Sequence, residues 1–109
     1  MGVTKTDLFT EQQNALAKVA RVLAHPARIA IIHHLIRINA CINSDLVEEL
    51  GLAQATISQH LRELKDVGLI QGTIEGVSVS YCINPARWEE IKSLLQDFFD
   101  EYKTPDNCC

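Results

Sequence analysis

Between Leu50 and Arg62 the chain carries no Asp or Glu, yet Gln54, Thr56, Ser58, Gln59 and Arg62 can all donate or accept hydrogen bonds. The rest of the chain is acidic, with 14 carboxylates against 10 Lys and Arg and a net charge of −4. A polar segment without carboxylates can lie against phosphates and reach base edges in a major groove. The solvated side of an ordinary amphipathic helix fits the same spacing; the local lack of acid favours the first reading. Sulfur is the other chemistry available. Cys108-Cys109 is a vicinal pair, and adjacent thiolates suit soft, thiophilic ions. Cys41 can supply a third sulfur if the tail folds back, within one protomer or across a dimer. The bland alternatives are frayed terminal cysteines and a Cys41 that acts as a small hydrophobe. Cys82 shares a strand side with Ser78 and Ser80 and carries less weight.

The elements that must position these groups follow from periodicity. Leu46, Leu50, Ile57, Leu61, Leu64 and Val67 recur at helical spacing on either side of Gly51, which suits a tight turn. Two short helices around such a turn form a helix-turn-helix. With Ile57, Leu61 and Leu64 inward, Ser58, Gln59 and Arg62 point away from the core. Upstream, Thr10 and Gln13 form a capping box for a helix from about Glu11 to Leu23, with Leu16, Val19, Ala20 and Leu23 on one side. Pro26 opens a second helix with interior residues Ile29, Ile31, Ile32, Leu35 and Ile36, and His25 stands at its N-cap. Asn43 or Ser44 can cap a short third helix ending near Leu50. His33 and His34 point in different directions and do not chelate one ion together.

Downstream, Gly68 fits a left-handed helix end with Leu69 folding back as its apolar contact. Val77, Val79, Tyr81 and Ile83 then alternate with Ser78, Ser80 and Cys82, and Glu75-Gly76 marks the turn of a hairpin, or wing. Asn84-Pro85 starts a last helix whose stripe is Trp88, Ile91, Leu94, Leu95, Phe98, Phe99 and Tyr102, with Pro105 ending it. That stripe is too rich in aromatics for one edge of a small monomer, and a C2 dimer is the commonest way to cover it. Two copies of the polar helix would then stand roughly 34 Å apart and meet successive major grooves of a palindromic site.

A length of 109 residues fits one domain over 1–109, with loosely ordered tails at 1–9 and 104–109. The net charge argues against a non-specific polycation, but the charge is unevenly spread. No acid occurs from Gln12 through Ser44, where Lys18, Arg21, Arg28 and Arg37 stand. The region from 85 onward holds Glu89, Glu90, Asp97, Asp100, Glu101 and Asp106 against Arg87, Lys92 and Lys103. No apolar run approaches the ~20 residues of a membrane span, and the first residues lack a secretory apolar region. The expectation is a soluble cytoplasmic protein, without membrane partners, whose cysteines are mostly thiols. No Gly-rich phosphate loop and no nucleophile with a base and orienter is visible, so an enzyme is not expected.

The words LAHPARIAII, LVEELGLAQATISQHLRELKDVGLI and VSYCIN, in this order of elements, resemble the ArsR family of winged-helix repressors over about Leu23 to Ile83. The resemblance implies a mainly α fold with a small β-hairpin, a winged helix-turn-helix. It also implies a homodimer built from the first and last helices, bound to operator DNA without any cofactor and released by a ligand. Its DNA contacts fall on Gln54, Thr56, Ser58, Gln59, His60 and Arg62. For His60, whose direction is close to that of Ile57, a place at the core edge and a phosphate contact both fit. Two features depart from the pattern. Ala53 stands where Ser or Thr is common, forgoing an N-cap worth ~1 kcal/mol. Glu75 sits at a wing tip that is usually basic, so wing contacts are expected from Thr73, Ser78 or backbone N–H groups.

The family's known metal sites are not intact here. Its Cys-x-Cys pair entering the third helix falls on Ile42 and Ser44, with Cys41 displaced by one. The Asp/His site of the last helix is absent because no histidine follows His60. What remains is Cys41, Cys108 and Cys109, and the resemblance implies trivalent arsenic or antimony, or another soft metal ion, as inducer. Two further readings stand beside it: a repressor of the same fold answering to thiol oxidation or persulfidation, with a disulfide as the off state, and a winged-helix module used for protein contacts.

Overall fold

The structure is a computed structural model and describes residues 8–43, 50–76 and 78–106. Helix α1 spans Glu11–Leu23, α2 Pro26–Ile38 and α3 Gln54–Asp66. Strands β1, Ile70–Thr73, and β2, Ser80–Ile83, follow, and α4 covers Pro85–Asp100. The expected short helix before Gly51 falls on 44–49, outside the described residues. So do Val77 and the Cys108-Cys109 pair.

Local chemistry accounts for most boundaries. The Thr10 hydroxyl accepts from the Gln13 N–H at 3.0 Å, while Gln13 Oε1 accepts from the Thr10 N–H at 3.0 Å, the expected capping box of α1. His25 Nδ1 accepts from the Ala27 N–H at 3.3 Å and Pro26 fills the first turn of α2. Asn39 ends α2 in the left-handed region, at φ 53°. Helix α3 starts after Ala53 with no side-chain cap, as the absence of an oxygen there requires. Its end is tightly closed. The Leu69 N–H donates to the Leu64 carbonyl at 3.1 Å and the Gly68 N–H to that of Lys65 at 2.9 Å, with Gly68 at φ 86°. This Schellman closure needs a residue free to adopt positive φ. Asn84 caps α4 through Oδ1, which accepts from the Arg87 N–H at 3.2 Å.

The hairpin is antiparallel, pairing Ile70 with Ile83, Gln71 with Cys82, Gly72 with Tyr81 and Thr73 with Ser80. Outside it, Ile42 bridges to Tyr81, so the segment after α2 lies along the free side of β2. Helix α2 is the hub, contacting α1, α3 and β2, while α1 also reaches α4. Ile31, Leu35, Ile57, Leu64, Ile70 and Tyr81 form its best-sealed shell, each at most 2% exposed. Sealing a large aliphatic side chain contributes roughly 1.5–3 kcal/mol, and α3 places Ile57, Leu61 and Leu64 in this core as the periodicity requires.

Two expectations of the core are corrected. Ile29 and Ile36 lie at the surface of the protomer, 36% and 46% exposed, because α2 turns only its Ile31, Ile32 and Leu35 side to α1 and α3. In α1, Val22 joins Val19 in the core, whereas Ala20 is exposed and Leu16 and Leu23 are half-buried. In α4, Ile91 alone is fully buried, and Trp88, Leu94 and Leu95 pack partly against the core.

Candidate nucleic-acid interface

Helix α3 presents Gln54, Thr56, Gln59 and Arg62 to solvent, with Ser58 half-buried beside them. These groups also hold one another. Gln54 Nε2 donates to Ser58 Oγ at 3.2 Å, Arg62 Nη2 to Gln59 Oε1 at 3.0 Å, and Gln59 Nε2 to Glu63 Oε1 at 3.3 Å. Such i,i+3 and i,i+4 pairs order long side chains along one helix face before any partner arrives. Four of the six residues expected to meet DNA, Gln54, Ser58, Gln59 and Arg62, therefore share one side of α3, and Thr56 is exposed further round the helix.

His60 does not join them. It is 6% exposed, its ring packs edge-on to that of His25 at 4.3 Å, and its Nδ1 accepts from Arg28 Nε at 3.1 Å. Arg28 in turn donates from Nη1 to the Val22 carbonyl at 3.2 Å, tying the end of α1 to α3 through α2. Burial first, then the neighbouring His25 and Arg28 charges, lower the pKa of His60 and favour its neutral form. Of the two roles open to it, the structure places His60 at the core edge.

The wing meets the helix through Glu75. Its Oε1 accepts a charge-assisted hydrogen bond from Arg62 Nη1, both side chains remaining about half exposed. Lys65 Nζ reaches across to the Gly72 carbonyl at 2.7 Å. The acidic wing tip thus has a partner inside the protein, which its placement in the sequence does not reveal. Thr73 and Ser78 are both exposed at the wing.

The sulfur groups divide. Cys41 is exposed and Cys82 half-buried, both as free thiols. A side-chain hydrogen bond with Cys82, followed by desolvation and the charge of Cys82, raises the pKa of Cys41. Cys82, the sulfur that carries less weight by sequence, is therefore the described neighbour of Cys41. Together they line a cavity of about 570 Å3 with Leu35, Ile36, Trp88 and Glu89. Among the described residues no group of three or more His, Cys, Asp or Glu is arranged to hold a metal ion. No described helix is long and apolar enough to cross a membrane.

The model of the arsR family of bacterial regulatory proteins matches residues 25–71, from the N-cap of α2 into β1. The transcriptional regulator CmtR of Mycobacterium tuberculosis is 36% identical over 72 residues, 66% of this chain and 60% of CmtR. The chain thus spans about 60% of the length of the first curated relatives it matches. The solution structure of CmtR, described as a cadmium metal-sensor, superimposes with a TM-score of 0.52 at 30% identity, covering 86% of this chain and 95% of that one. The transcriptional repressor PagR of Bacillus anthracis is 30% identical over 79 residues, 72% of this chain and 79% of PagR. An ArsR-like regulator from Rhodococcus sp. RHA1 gives a TM-score of 0.68 at 25% identity over 84% of this chain and 86% of its own. The four described helices and the hairpin that follows α3 are the winged helix-turn-helix architecture of these regulators. The chain belongs to the arsR family of bacterial regulatory proteins.

Proposed function

We propose that this protein is a DNA-binding transcriptional repressor that acts as a homodimer and is released from a palindromic operator by a thiol-directed ligand. The observation that carries the reading is the outer face of α3, where Gln54, Ser58, Gln59 and Arg62 stand together, with Thr56 exposed further round, while Ile57, Leu61 and Leu64 anchor the helix from behind. A rigidly backed helix with amide, hydroxyl and guanidinium groups on its outer side suits major-groove readout. CmtR is a transcriptional regulator and PagR a transcriptional repressor, which agrees with it.

Dimerisation through the first and last helices is supported by the apolar surface that one protomer leaves uncovered. Phe98, Phe99 and Tyr102 are 47%, 69% and 69% exposed. Beside them, Leu23, Ile29, Ile36, Trp88 and Leu95 line an apolar groove of about 510 Å3. Exposed apolar surface of this kind marks an association site.

The inducer is a soft species. Cys41, Cys108 and Cys109 form a three-thiolate set for trivalent arsenic or antimony. The cadmium sensing of CmtR supports a thiophilic metal as the class of signal. DNA binding itself requires no cofactor. The test is fluorescence anisotropy on a duplex selected from a random pool, with and without arsenite. Arg62→Ala should lower affinity by about 1–3 kcal/mol. Unchanged affinity would remove α3 from the groove. Normal release of Cys108→Ser/Cys109→Ser by arsenite would remove the tail from sensing.

A further inference from the structure

Ile42 and Tyr81 exchange both backbone hydrogen bonds, the Ile42 N–H reaching the Tyr81 carbonyl at 2.7 Å and the Tyr81 N–H that of Ile42 at 3.1 Å. Continued by one residue, this antiparallel register sets Cys41 opposite Cys82. The site next to a doubly bonded pair is the non-hydrogen-bonded one, where Cα atoms approach to about 4.5 Å and side chains are closest. A disulfide needs Cα atoms about 4.4–6.8 Å apart. Side chains alternate along a strand. Ile42 and Tyr81 point into the core, at 4% and 2% exposed, and the two cysteines share the opposite side. Both open onto the same cavity beside Trp88 and Glu89, which gives a small reagent access to the pair.

We propose that Cys41 and Cys82 are a redox-active dithiol that closes to an intramolecular disulfide by exchange with a low-molecular-weight disulfide. One thiolate attacks a sulfur of the reagent, forming a mixed disulfide and expelling a thiolate. The second cysteine then attacks the protein sulfur of that intermediate and expels the other reagent thiolate. Two cysteines are oxidised to one S–S bond, one external disulfide is reduced to two thiols, and the two cysteine protons end on those products. Closure fastens the segment after α2 to β2, the inner strand of the wing, and takes Cys41 away from any metal ligand set. Resting on the DNA-binding reading above, the oxidised dimer has its wing locked to the segment after α2, loses the freedom to adjust it to the operator, and binds it more weakly.

The experiment uses the 109-residue chain carrying Cys108→Ser/Cys109→Ser, which leaves only the two cysteines in question, equilibrated with glutathione disulfide, alkylated and mapped by mass spectrometry. The expected result is loss of both free thiols and a peptide joining residues 41 and 82 within one chain, abolished by a further Cys82→Ser. Separate glutathione adducts on each cysteine, or links only between chains, would overturn the proposal. In the second arm, reduced and oxidised forms are titrated with the selected duplex. Oxidation should weaken binding by about fivefold or more, within the usual range of coupling between two sites. Equal affinities would overturn the regulatory consequence. A reduced protein that selects no duplex would refute the DNA-binding reading and leave the mapped disulfide standing.

Discussion

Helices α3 and α4 flank the same hairpin, and both are amphipathic, but their apolar sides meet different surroundings. In α3, Ile57, Leu61 and Leu64 are 1%, 3% and 0% exposed, and the opposite side presents polar groups to solvent. In α4 the stripe runs from buried Ile91 through half-buried Leu94 and Leu95 to exposed Phe98 and Phe99. The first helix is saturated by its own protomer; the second begins in the core and runs beyond it. A substitution that separates the two is Leu64→Ala. It should cost about 2–5 kcal/mol of stability in urea melts, the range for a large aliphatic side chain lost from a packed core. Phe99→Ala should leave unfolding of the dilute monomer nearly unchanged. A loss below about 1 kcal/mol for Leu64→Ala would mean that α3 is not anchored as described.

The next largest effect belongs to α4. Replacing Phe98 and Phe99 together with Ala should weaken self-association by about 2 kcal/mol or more, as expected for aromatic anchors in an interface. Sedimentation equilibrium reads this as roughly a thirtyfold rise in the dimer Kd. An unchanged Kd would place the tip of α4 outside the dimer seam.

Periodicity exposed the α3 side of this comparison almost completely, because a helix sealed by one core repeats its apolar residues strictly. Capping residues were equally legible: Thr10, His25, Gly68 and Asn84 each act through neighbours a few positions away. Ile29 and Ile36 were misplaced because α2 is apolar on most of its circumference, so its pattern cannot say which side the protomer covers. The partnerships Arg62–Glu75 and Cys41–Cys82 stayed hidden for a different reason. Each joins residues distant in sequence, and both depend on how the hairpin folds back, which no local pattern encodes. His60 lay between the two cases: its helical direction allowed the core edge, and Arg28 supplied the donor that settled it there.

A smaller change tests the polar side of α3. Glu75→Gln removes the charge that holds Arg62 and that would face a phosphate. An exposed ion pair contributes roughly 0.2–1 kcal/mol, so releasing it should raise affinity for the selected duplex by up to about fivefold. The effect should shrink as salt is raised, since salt screens both the pair and the phosphate. Weaker binding of Glu75→Gln at low salt would instead show that the carboxylate positions Arg62 for the groove.

The smallest effect expected is on pH. His60 has a pKa below its usual 6.5 in the folded protein, chiefly because it is buried beside His25 and Arg28. In the unfolded chain it returns to the ordinary value, so between the two pKa values the unfolded state binds more protons. Stability from this group is complete above about pH 6.5 and declines as pH falls through the folded pKa. His60→Gln keeps a side-chain oxygen able to accept from Arg28 but does not titrate. Thermal melts from about pH 7.5 down to pH 5 should therefore fall less steeply for His60→Gln than for the wild type, whatever the offset at neutral pH. His25, His33, His34 and the carboxylates are common to both proteins, so the difference in slope isolates His60. Parallel curves would mean that burial does not hold this imidazole neutral, and the link it makes between α1, α2 and α3 would then be one of shape alone.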